Sequence, residues 1–142
     1  MRSLSALALS LVLLGCAMIP SNASGPPLPL EFHAQPRPLG SGDDEQAAAR
    51  AGSGTISVNG VLTAATPCHD LSGEATRSGQ SVVLRVTVAR RDAPCTQVIA
   101  TFGYVAVISG LEPGRYDLHV EYIYPGSGWG TRTALDQSLT VQ

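Results

Sequence analysis

The 142-residue chain carries nine basic residues, every one an arginine, against eleven acidic ones, for a formal net charge of -2. With no cluster of cations to neutralise phosphates, this balance excludes nucleic acid as a partner. Arg90-Arg91 is the only adjacent basic pair, and at a strand end it reads as a solvated turn.

In chain order, Arg2 gives a positive start and Leu4 to Leu14 is a run without charge. A bilayer span takes roughly 20 apolar residues, so this run is too short to be one. It reads instead as the core of a secretory signal over residues 1–15, removed on export. The run ends in Leu13-Leu14-Gly15-Cys16. This resembles the lipobox of bacterial lipoproteins, in which the thiol is alkylated by a diacylglycerol and the chain is cut just before the cysteine. The resemblance implies a mature chain that begins at Cys16 and is held on a membrane of the bacterial cell envelope by acyl chains, each buried methylene contributing about 0.8 kcal/mol. Ala17 follows in place of aspartate, which implies the outer membrane where the host has two. Loss of Arg2 with the signal leaves eight basic against eleven acidic residues, a formal charge of -3.

Residues 16–53 are rich in Pro, Gly, Ala and Ser and poor in large apolar side chains. Such a segment buries too little to offset its ordering entropy, so it is expected to be a flexible tether, extended where prolines gather between Pro26 and Pro38. Within it, Asp43 to Arg50 has the order of a short helical turn, with acids first, then alanines, then an arginine.

From Gly54 the pattern turns to period two, punctuated by Gly, Pro, Asp and Ser. A first strand is predicted from Thr55 to Ala65, with a bulge at Asn59-Gly60. A second covers Leu71 to Thr76, and Ser78-Gly79-Gln80 turns it into the clearest strand, where Val82, Leu84, Val86 and Val88 form one apolar face. Further strands follow over Cys95 to Phe102 and Tyr104 to Ser109, broken at Gly103, then over Tyr116 to Tyr124 and Leu135 to Val141. Seven strands in residues 54–142 predict an all-β domain, an antiparallel immunoglobulin-like β-sandwich. The stretch Ile108-Ser109-Gly110-Leu111-Glu112-Pro113-Gly114-Arg115-Tyr116 resembles the corner between the fifth and sixth strands of fibronectin type III domains. That resemblance implies that the Tyr116 hydroxyl bonds back to upstream backbone.

With Cys16 lipidated, Cys68 and Cys95 are an even pair in an exported domain and are expected to form a disulfide. No Gly-x-Ser-x-Gly elbow or other catalytic set is present, so the expectation is a protein that is not an enzyme and takes no cofactor. His69, Asp70 and His119 are of metal-ligating type, but their spacing does not bring them together. The strongest candidate contact is the loop from Tyr124 to Arg132. It sets Trp129 between glycines, where the indole can stack on a sugar ring, a peptide side chain or a lipid head group with Arg132 as a planar donor, or fold back as a plug. The leading expectation is a membrane-anchored envelope lipoprotein that acts as a binding or structural module for a protein or glycan. The alternatives are a protease inhibitor presenting sandwich loops, and a metal-binding protein or metalloenzyme using His69 and His119.

Overall fold

The protein, described by a computed structural model over residues 25–38 and 44–142, is built of strands. These are β1 (Leu30–Pro36), β2 (Gln46–Ala51), β3 (Ile56–Ala64), β4 (His69–Ser78), β5 (Ser81–Arg90), β6 (Ala100–Ile108), β7 (Gly114–Tyr124) and β8 (Gly130–Val141). They form two four-stranded sheets, β1-β6-β3-β2 (sheet I) and β4-β5-β7-β8 (sheet II). The signal segment and Cys16 lie outside the described residues.

The core follows from the period-two pattern. Val82, Leu84, Val86 and Val88 on β5 and Tyr116, Leu118, Val120, Tyr122 and Tyr124 on β7 turn inward from sheet II. Ile56, Val58 and Leu62 on β3 and Phe102, Tyr104, Ala106 and Ile108 on β6 face them from sheet I. Each fully buried aliphatic side chain contributes about 1.5–3 kcal/mol, so the four inner strands carry most of the stability. The Tyr116 hydroxyl donates to the Glu112 carbonyl at 3.0 Å, the bond expected of the corner tyrosine, and the Arg77 guanidinium lies 5.0 Å above its ring.

The all-β sandwich is as expected, but several of its parts are not. The segment read as a tether supplies two of the eight strands. β1 and β2 form both edges of sheet I, pairing with β6 and β3. Leu30 and Phe32 pack against the core, and Ala49 is buried in it, while Glu31, His33 and Arg50 stay outside. An edge strand is held largely by ladder hydrogen bonds, so it needs few large apolar side chains and its composition resembles that of a linker. The same pairing overrides the helical preference of the alanines before Arg50, which lie in β2.

The bulge expected at Asn59-Gly60 is absent, because both residues sit in unbroken register with Ala48 and Ala47. Gly60 has a different cause. A Cβ there would lie 2.2 Å from the Tyr104 ring, which covers the glycine from the neighbouring strand. The one register shift among the described strand pairs lies between β7 and β8, where Val120 pairs with Leu135 and Glu121 with Thr133, leaving Ala134 of β8 as the extra residue. Gly103 does not break its strand, since β1 and β3 hydrogen-bond it on both sides and hold it extended. Finally, β5 and β7 are parallel neighbours joined through β6 of the other sheet. The immunoglobulin fold is made of antiparallel sheets, so its connectivity is not met at this pair.

Candidate functional site

One end of the sandwich is distinguished by its loops. There the β3–β4 connection, the loop from Arg91 to Ile99 and the turn between β7 and β8 surround a cleft of about 220 Å³. Cys68 and Cys95 are bonded, with their Cα atoms 6.0 Å apart, and so tie the first two of these loops together. Three of the four exposed large apolar side chains among the described residues, Val98, Ile99 and Trp129, lie at this end. A local gathering of that kind marks a contact surface more than scattered exposure does.

Trp129 is both braced and open. Its ring meets Tyr124 edge to face at 5.2 Å, and it remains 40% exposed. Tyr124 is fixed in turn, its hydroxyl 3.0 Å from both the Thr63 carbonyl and Glu45 Oε1. Burial holds the Tyr124 phenol well above its ordinary pKa, and the nearby Glu45 carboxylate adds to the rise, so the hydroxyl stays a donor. The turn itself is tied by Ser127, whose hydroxyl donates to the Tyr124 carbonyl at 2.9 Å and accepts from the Trp129 amide at 3.2 Å. The indole is thus presented on a held support, which lowers the ordering cost of binding.

The structure redistributes the polar residues expected to act beside Trp129. Arg132 does not line the cleft. Its Nη2 pairs with Glu45 Oε2 at 2.8 Å, which joins β8 to the chain just before β2. Arg90 lines the cleft instead, together with His69, Thr66 and Gln97. The register explains this. Arg90 falls two residues after Val88 on the inward phase of β5, and its cross-strand partner His69 falls two residues before Leu71 on β4. Both stand where the core ends and the sheets part, so they face the cleft and not the outer surface. Arg91, one step out of phase, turns outward to Asp70 at 3.3 Å. The Arg90-Arg91 pair is therefore split between two faces, and the signal that identifies Arg90 is the period-two pattern continued by one step.

His69 Nδ1 donates to the Thr66 carbonyl at 2.8 Å, which leaves Nε2 of the neutral ring as an acceptor. Arg90 forms no ion pair or side-chain hydrogen bond among the described residues, and no carboxylate lines the cleft.

His119 is far from this site. It aligns with Val83 on β5, whereas His69 aligns with Arg90, so the two imidazoles are separated by about 23 Å of strand at 3.3 Å per residue. The metal centre imagined from them does not form, and no group of three or more His, Cys, Asp or Glu among the described residues is placed to hold an ion. His119 meets Asp136 at 2.6 Å on the outer face of sheet II, and Ser138 bonds to Asp117 beside it.

A larger concavity of about 340 Å³ lies on the outer face of sheet I, where Gly103 leaves a gap between His33, Gln35 and Val61. It is a trough in a sheet surface, with no exposed aromatic face, and the Arg37 side chain runs across Gly103. The loop-end cleft is the better candidate, because it combines an aromatic platform with converging polar groups. No family model, curated protein or solved structure matches the chain.

Proposed function

We propose that this protein is a lipid-anchored binding module of the bacterial cell envelope that holds its ligand in the Trp129 cleft. The observation that carries this reading is the polarity of the sandwich. The described chain enters alongside the far end of β4, where Pro26 accepts from the Arg77 amide at 3.1 Å and Leu28 donates to the Ala75 carbonyl at 2.8 Å. Gly25 lies so close to that strand that a Cβ would sit 1.8 Å from the Arg77 carbonyl oxygen. The cleft is at the opposite end of the same strand, at His69, about 26 Å away at 3.3 Å per residue.

Gly25 is nine residues after Cys16, a stretch that spans at most about 30 Å when fully extended. A lipid on Cys16 would therefore join the domain at the β4–β5 hairpin end, opposite the cleft, with Trp129, Val98 and Ile99 at the end of the sandwich far from the point of attachment. The test is intact mass of protein purified from membranes of its native host. A chain that begins at Cys16 and carries the mass of its acyl groups is the expected result. A soluble chain without lipid, or one that begins elsewhere, would overturn the reading.

A further inference from the structure

We infer that the loop-end cleft binds an acidic sugar, with the ring stacked on Trp129 and its carboxylate held by Arg90. The inference rests on the binding-module reading above and supplies the ligand class for the same cleft.

Four observations lead to it. Trp129 meets Tyr124 in a T-shaped contact at 5.2 Å and stays 40% exposed, which leaves indole surface for the C–H face of a pyranose. Arg90 reaches the same cleft from the inward phase of β5 with no carboxylate partner among the described residues, whereas Arg85, Arg91 and Arg132 are each paired with an acid. A guanidinium left unpaired beside an aromatic plate fits a planar carboxylate, which it can grip through two parallel hydrogen bonds. The remaining lining suits sugar hydroxyls: His69 Nε2 as an acceptor, and Thr66 and Gln97 as groups that both donate and accept.

The fourth observation is the charge pattern. The chain is acidic overall, yet among the described residues no Asp or Glu lines this cleft, so the local field favours an anion over a cation. The size of the cleft suits a single sugar unit, because about 220 Å³ admits one ring-sized group.

Trp129 is the only tryptophan, so intrinsic fluorescence reads this site alone. The experiment uses the full mature chain in detergent micelles, titrated with tetragalacturonate and, in parallel, with the neutral tetrasaccharide cellotetraose. Tetragalacturonate is expected to change the emission saturably and to bind at least about tenfold more tightly than cellotetraose, the discrimination expected of one charge-assisted contact. Arg90→Gln is expected to remove that preference while its circular dichroism and urea midpoint stay unchanged. By calorimetry, Trp129→Ala is expected to lose binding of both sugars.

The inference is overturned by no saturable response to tetragalacturonate at millimolar concentration, by equal affinity for the two sugars, or by an Arg90→Gln variant that binds as the parent does. Each of these outcomes leaves the lipid-mass result untouched. Failure of that mass result leaves the titration readable, because the fluorescence reports the cleft whether or not the chain is lipidated.

Discussion

Tyr122→Phe isolates the hydrogen-bonded tyrosine layer that braces the inside of the cleft end. The Tyr122 hydroxyl lies 3.2 Å from the Tyr104 hydroxyl, 3.3 Å from the Gln46 carbonyl and 3.5 Å from the Val61 carbonyl. It has one proton to give, so it donates to Gln46 and accepts from Tyr104. Removing it leaves the Tyr104 proton with no acceptor at a position only 3% exposed. A lost bond with an orphaned buried donor costs about 2 kcal/mol. Tyr104→Phe is milder at about 1 kcal/mol, because Tyr122 keeps its bond to Gln46.

The double variant carries no orphaned hydroxyl, and the edge-to-face contact of the two rings, 85° between planes at 6.0 Å, is kept by phenylalanine. It should therefore cost about 1.5 kcal/mol in place of the additive sum of about 3 kcal/mol, a coupling well above the usual error of additivity. Urea unfolding followed by far-UV circular dichroism, with Trp129 emission as a second probe, measures all four corners of the cycle. A double variant destabilised by the full sum of the two singles would refute the proposed direction of the proton chain.

Two further outcomes follow from the same region. Burial pushes the Tyr104 phenol up to about 12, and burial also raises Tyr122 and Tyr124. A phenol with a raised native pKa leaves the unfolded chain with fewer bound protons above pH 10. Stability should thus be level below about pH 10 and fall from there through pH 12, each buried phenol contributing about 1.4 kcal/mol per pH unit while only the unfolded form ionises. Tyrosinate absorbance from these residues should appear together with loss of circular dichroism, and ionisation well before unfolding would contradict it. The Cys68→Ala/Cys95→Ala variant opens a loop of sequence separation 27 and should lose about 3.5 kcal/mol in the chain-entropy model. A urea midpoint that moves by less than a third of that value would show that the unfolded state is not the main target of the bond.

Much was determined by the sequence alone, and the reason is local. Where a strand buries one face, each second residue must be apolar, so β3, β5 and β7 were legible from Ile56-x-Val58, from Val82 to Val88 and from Tyr116 to Tyr124. The corner at Tyr116 was legible because a turn and one hydroxyl define it within five residues. The Cys68–Cys95 bond was legible because two thiols remain once Cys16 is set aside, an even pair. Trp129 is conspicuous as the sole tryptophan, set in a glycine-rich loop, and the structure gives it a brace on Tyr124 while leaving it 40% exposed.

What only the tertiary structure decided depends on partners distant in sequence. β1 and β2 are strands because β6 and β3 offer them backbone groups, a property that side-chain composition does not record. Gly60 is explained by Tyr104 on the next strand and not by a bulge in its own. The exchange of Arg132 for Arg90 beside Trp129 has the same origin. Glu45 draws Arg132 away across the gap between the sheets, and the inward phase of β5, carried past the last valine, delivers Arg90 to the place where the sheets part.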